Sequence, residues 1–408
     1  MKKWFIKTQN KSSPSGSSDS RTLDPLNPSH ISLSSDASTP RTLILHDTDF
    51  PDSSFSLQPS ALSPDPLTAS PVPLTLRKVL LTTAAMLFLL LLTMTVALFI
   101  GSADASYNKL WSLLHRTLTP EDPFKIILFQ IRLPRILLAG LVGFTLALGG
   151  VVFQALLRNP LADPFVLGLS SGSALGAVLG IFFGFSFQIG VPLAAFIGAV
   201  ATIFIVTSLG GRSLGAESAT ILLTGVIINA FCTAIIIFFI ITATDSRLHS
   251  MLFWLYGDLS QSYFSPLVFL GPVILIVSLV LFGFSRNLNL LTAGEETALH
   301  LGVEVARTKY ICLIAVSLLI SLVISFSGLI GFVGLIVPHL ARMALGSDHR
   351  LLMPVSALGG AIFLIAADTL ARIVMAPAEL PVGVITACLG APFFIYLLKK
   401  KGSRWERS

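Results

Sequence analysis

From Val79 onward the chain is a series of apolar runs, each about as long as a membrane is thick, and this property constrains the fold more than any other. A bilayer core takes about 20 apolar residues per helix, and on that ruler there are about ten spans. They lie at about 79–101, 134–157, 166–186, 189–211, 219–243, 264–284, 309–330, 331–345, 351–371 and 380–398. Composition agrees, with 53% hydrophobic and only 12% charged residues, where a soluble domain carries about 25% charge. The expected fold class is an all-α polytopic membrane protein with about ten transmembrane helices. The eighth span is short, and its flank "SGLIGFVGLIVPHLARMALG" is broken by glycines and Pro338. Broken helices survive at membrane depth only where protein or a water-filled cavity covers the backbone.

The region before the spans has another character. Residues 1–76 are rich in Ser, Pro, Thr and Asp, as in "SSDASTPRTL", and hold too little apolar side chain to bury a core. They are expected to be a disordered cytoplasmic extension. The start, "MKKWFIKTQNKSSPSG", has positive charges but no apolar stretch of useful length, so it is not an ordinary cleavable signal peptide. Residues 77–400 form the membrane domain and 401–408 a basic tail.

Lys and Arg set the orientation. Arg77-Lys78 precede the first span and "LLKKKGSRWERS" closes the chain, which places both ends in the cytoplasm and requires an even number of spans. Arg158, Arg212, Arg286, Arg307 and Arg342 then also fall inside. The first external loop, about 102–133, breaks the pattern with Lys109, Arg116, Lys125 and Arg132, offset by Asp104, Glu121 and Asp122. The net charge of +6 is thus a topology signal and not a nucleic-acid footprint. Cys232, Cys312 and Cys388 lie far apart in apolar runs, without metal-ligand spacing, and read as small buried hydrophobes.

Several stretches could carry chemistry. "RNPLADPFVLGLSSG" (158–172) contains a G-x-S-x-G pattern. A serine hydrolase puts that pattern between a strand and a helix, with a histidine base nearby. Here it opens a membrane helix, and His339 is the one serious base in the chain. Gly168, Ser170, Ser171, Gly172 and Ser173 read better as small residues that let helices approach closely, or as a faintly polar wall beside a pathway. Pro160 and Pro164 stop one helix and restart the next. No G-x-x-x-x-G-K-[ST] occurs, so any ATP that drives this chain is bound by another subunit.

The internal connection 285–309, "SRNLNLLTAGEETALHLGVEVARTK", holds a short helix punctuated by Gly294 and Gly302. Its exposed face is expected to mix Leu290, Leu291 and Leu301 with Glu295 and Glu296. Two readings stand: a docked partner, or an amphipathic helix lying on its own protein or at the lipid surface. Outside, Arg132-Leu133-Pro134-Arg135 precedes span two, and Glu379-Leu380-Pro381 opens span ten. Asp368 and Arg372, four apart, share a helical face and can pair. Either these are helix-end ion pairs with snorkelling arginines, or Arg132 and Arg372 offer exposed guanidiniums to carboxylates of an external partner. Gln154, Thr224, Asn229 and Ser325 are polar within spans and should face the bundle interior or a cavity. No run of paired ionisable residues forms an ion relay.

Five stretches, in order, resemble the FecCD family of ABC importer permeases. They are "IRLPRILLAGLVGFTLALGGVVFQALLRNPLADPFVLGLSSGSALGA", "GEETALHLGV", "GLIGFVGLIVPHLARMALGSDHRLLMP", "LIAADTLAR" and "ELPVGVITACLGAPFFIYLL". The resemblance covers about residue 79 to the end and implies a type II ABC importer permease fold in the bacterial inner membrane. It implies a second permease copy or paralogue, a cytoplasmic ABC ATPase dimer, and a periplasmic or lipid-anchored substrate-binding protein. It implies no cofactor, no metal and no nucleotide site in this chain, which would be a transport subunit and not an enzyme. The cargo implied is an iron(III)-siderophore-type chelate, with haem or cobalamin as the alternative. An ion-coupled secondary carrier is the alternative of another class. By the same resemblance, Arg132 and Arg372 dock the binding protein, and Leu291, Gly294, Glu295, Ala298, Leu301 and Gly302 belong to the coupling loop that seats on the ATPase. Ser213 and Ser218 match the inner gate, and Asp245 and Leu248 the outer gate. The N-terminal 76 residues depart from the family pattern.

Overall fold

The computed structural model describes residues 75–100, 123–163, 165, 168–210 and 218–405. The chain divides into Met1–Ser70 and Pro71–Ser408; the expectation for the N-terminal extension lies outside the described residues. In the second unit every regular element described is helical. The first helices are α1 (Leu76–Phe99), α2 (Leu133–Leu156), α3 (Leu169–Phe182), α4 (Gly190–Gly210) and α5 (Ser218–Thr242). The surface helix α6 (Asp245–Leu255) precedes α7 (Phe264–Gly283). The short pair α8 (Ser285–Ala293) and α9 (Glu295–His300) precedes α10 (Val305–Ser327), α11 (Val333–Leu345), α12 (His349–Ile373) and α13 (Val382–Trp405). Against the expected ten spans, seven helices among the described residues are long and apolar enough to cross a membrane, and α3, α11 and the apolar part of α13 are shorter apolar helices.

The boundaries correct the sequence reading in two places. Span two was expected to begin at about 134, leaving Arg132 in a loop. Instead one turn of helix, Pro123–Ile126, runs through a π-helical stretch, Ile127–Arg132, straight into α2. The backbone N–H of Leu133 reaches back five residues to Leu128. Proline lacks the donor an α-helix needs, and this local widening lets Pro134 stay in a continuous helix. At the other end α13 continues through the basic segment to Trp405 instead of stopping at about 398.

α2 is the axis of the bundle, buried over most of its length, and α12 packs along it. The two backbones touch: a β-carbon on Gly143 would collide with the Gly360 carbonyl, and one on Gly150 with the Gly334 carbonyl of α11. Gly172 of α3 meets Gly198 of α4 in the same manner. Without a hydrophobic driving force in lipid, such close approach is what holds membrane helices together. Within the glycine-serine pattern Gly172 is therefore a packing position, while Ser170 borders a cavity, and Gly168, with φ +80, caps α3 where an ordinary residue would be strained. α1 covers the outside of the bundle with no buried stretch of its own.

The chain reverses between successive spans, so two faces result. The tail face carries residues 157–163, α8, α9 and residues 346–348. The far face carries the end of α1, the start of α2, α6, and the segment between α12 and α13.

Candidate functional site

On the far face five charged side chains come from three places. Arg135 of α2 donates to Asp368 of α12 over 2.9 Å and to Glu379, which precedes α13. Arg372, one turn beyond Asp368, holds the other carboxylate oxygen at 3.2 Å. The i,i+4 pairing read from the sequence is present, and Arg135 is the partner that reading missed. The sequence signals are "RLPR" and "ELP", but nothing in a sequence brings residues 135 and 379 together.

Of the two readings of Arg132 and Arg372, the structure corrects the one that exposes their guanidiniums. They are not exposed: each retains only 4–5% of its surface. Both guanidiniums point at the open carbonyls ending α1. Arg132 donates to Leu98 and Phe99, and Arg372 to Ala97 and Ile100. The last carbonyls of a helix lack intrahelical donors and carry partial negative charge, so two cations there close α1 against the bundle.

The tail face carries the loop of α8 and α9. Gly294 (φ 137) separates the two helices and Gly302 (φ 82) ends the second, as the punctuation predicted. Side-chain directions differ from the expectation. Leu291 and Ala298 are buried, at 1% and 0% exposure, and anchor the loop to its own protein. Glu295 is engaged within the chain, 2.7 Å from Lys309 Nζ and 3.0 Å from Arg158 Nη2. The apolar residues left on the surface are Leu299 and Leu301, 58% and 62% exposed, beside exposed Glu296. Leu299 was not among the expected contacts. In a six-residue helix the face is decided by which residue finds the core, and Ala298 finds it.

Between the faces lies a cavity of about 420 Å³ bordered by Asp163, Ser170, Asn229, Phe332 and Leu335, where the break between α10 and α11 meets α5. Phe332 sits at φ 69, a strained position for a bulky residue, at the mouth of α11. The Asp163 carboxylate accepts from the Phe165 amide at 2.8 Å, and burial pushes its carboxyl up to about 6. Gln154 faces the bundle interior and Ser325 borders a second cavity, of about 520 Å³. Ser218 is the first residue of α5, and Ser213 lies outside the described residues. Asp245 is exposed in the first turn of α6, Leu248 is half-buried, and Arg247 between them ties α6 to the Phe182 carbonyl. Cys232 and Cys312 are buried as expected; Cys388 is exposed.

Residues 89–400 match the FecCD transport family. The chain belongs to that family. Among curated relatives, the cobalamin import system permease protein BtuC of Halobacterium salinarum is 44% identical over 280 residues, 69% of this chain and 75% of that protein. The hemin transport system permease protein HmuU of Yersinia pestis is 41% identical over 329 residues, 79% of this chain and 96% of that one. A solved metal-chelate type ABC transporter in an inward-facing conformation superposes with a TM-score of 0.69 at 34% identity, covering 78% of this chain and 98% of its own. This FecCD member is a multi-pass permease of an ABC importer.

Proposed function

We propose that the chain carries iron(III)-siderophore-type chelates across the bacterial inner membrane, with its tail face in the cytoplasm and a second copy or paralogue completing the pathway. The observation that carries the mechanism is the pair Leu299 and Leu301, held out from a loop that is otherwise fastened to the protein. Burying two such leucines against an ATPase contributes about 1.5–3 kcal/mol each, and in this reading an ABC ATPase dimer seats there. The far face receives a periplasmic or lipid-anchored binding protein. Its carboxylates reach Arg132 and Arg372 only by drawing those guanidiniums away from the α1 carbonyls, so docking loosens the end of α1. Asp245 and Leu248 on α6 guard the outer entrance, and Ser213 and Ser218 the inner one. The relatives named for cobalamin and hemin make those two cargoes the competing reading.

The discriminating experiment reconstitutes the permease with ATPase and binding protein in liposomes. ATP-dependent uptake of a radiolabelled ferric hydroxamate is compared with uptake of cobalamin and hemin. Uptake of only cobalamin or only hemin sinks the siderophore assignment, and uptake driven by a proton gradient without ATPase sinks the importer mechanism.

A further inference from the structure

Asn289 lies within α8, half-buried, and its amide has one self-consistent orientation. Nδ2 is 2.8 Å from Oδ1 of Asp348; an ionised carboxylate only accepts, so this is the NH2 end. Oδ1 therefore accepts from the backbone N–H of His349 at 2.8 Å and from the ring at 2.7 Å, which places the ring proton on Nδ1. Asp348 at the same time caps α12 by accepting from the Arg350 amide at 3.0 Å. A single side chain of α8 thus holds three groups at the first turn of α12.

What α12 touches next gives that grip a consequence. α12 lies against α2 through the backbone contact of Gly143 and Gly360, with no side chain between to absorb movement. α2 holds α11 through Gly150 and Gly334 and through Gln154, which donates to the Gly334 carbonyl (3.1 Å) and accepts from Arg342 (2.8 Å). α11 borders the 420 Å³ cavity through Leu335. A continuous series of rigid contacts therefore runs from the α8–α9 loop to the cavity wall. The loop's other polar ties are of a different kind. Asn287 reaches Thr308 at 3.3 Å, and Glu295 reaches Lys309 and Arg158; both sets hold the loop to α10 or to the end of α2, not to α12.

We propose that Asn289 is a positioning residue: it locks the α8–α9 loop to the start of α12, so that displacement of the loop by an ATPase is delivered to α11 instead of being lost in the loop. This rests on the importer reading, and the physical requirement is a demonstrated coupling, not mere adjacency.

The test uses the full chain in complex with its ATPase, with Cys232, Cys312 and Cys388 replaced by serine and Leu335→Cys as the reporter. Labelling by a water-soluble maleimide is timed with and without ATP and vanadate. In the parent the rate should change about fivefold or more, the range of an ordinary coupling energy. Asn289→Asp sets two carboxylates face to face and should bring the ratio toward one, while ATPase assembly and hydrolysis continue. Adding Asp348→Asn exchanges the partners: the amide now stands at 348, still a good cap, and the carboxylate still accepts from His349. This double variant should restore the response. An Asn289→Asp protein with the full response overturns the proposal, as does one that loses assembly and is not rescued by the exchange. If the parent complex hydrolyses ATP yet shows no response, the importer reading itself fails, and the proposal with it.

Discussion

Replacing Asp368 with asparagine tests the far-face cluster most sharply. The carboxylate is 1% exposed and is shared by Arg135 at 2.9 Å and Arg372 at 3.2 Å. The amide keeps the shape but gives up the charge, and two guanidiniums are left buried with less than they need. Breaking a buried pair by removing one partner costs about 3–5 kcal/mol, chiefly because the surviving charge stays desolvated. At about 2–4 °C per kcal/mol, a midpoint shift on the order of 10 °C follows. Glu379 is the internal control. It also binds Arg135, but its side chain is 34% exposed. Water screens such a pair to about 0–1 kcal/mol, so Glu379→Gln should move the midpoint by only a few degrees.

The chain supplies its own probe. Cys232 and Cys312 are buried and Cys388 is exposed, so in a Cys388→Ser background a thiol-reactive dye reports the unmasking of the two buried thiols on heating. The ranking is what the burial argument dictates. Equal shifts for Asp368→Asn and Glu379→Gln, or a shift under about 2 °C for the former, would refute the claim that desolvation sets the cost.

Leu299→Asp with Leu301→Asp should abolish co-purification of the ATPase and leave thermal stability unchanged, whereas Ala298→Asp should lower the stability of the permease itself; the dye assay and a pull-down separate the two. The raised carboxyl of Asp163 makes the folded state hold a proton that the unfolded chain releases between 3.8 and about 6. Its contribution is therefore fully present below that window and lost as pH rises through it. Asp163→Asn, which keeps the acceptor for Phe165, should lack this loss and gain on the parent as pH increases from 4 to 7, measured by dye midpoints across buffers. Deleting residues 1–70 should leave ATP-dependent uptake nearly intact, and complete loss of uptake would assign the extension a working role.

Much of the architecture was legible because lipid leaves the backbone so few choices. Apolar length located the spans, and proline, glycine and charge located most of their ends. The misreadings share a cause. Pro134 reads as a helix start, but a π-helical turn is a property of the hydrogen-bond ladder and leaves no mark on composition. Exposure is only one of the two readings of Arg132 and Arg372, and it rests on the tendency of charge at a helix end to seek water. What overrides that preference is the frayed carbonyl end of α1, a helix more than thirty residues from Arg132 along the chain. Leu291 and Leu301 look alike in "LNLLTAGEETALHLG", yet Leu291 is core on α8, while Ala298 fixes which way α9 rolls and leaves Leu301 on the surface. Asn289 would be passed over in any scan for charge, spacing or hydrophobicity. Its importance comes from an aspartate and a histidine sixty residues on, at the start of another helix. Length and pattern therefore place the helices of a membrane protein, while the polar atoms that connect them are decided by neighbours remote in sequence, and it is through those atoms that one end of this bundle can affect the other.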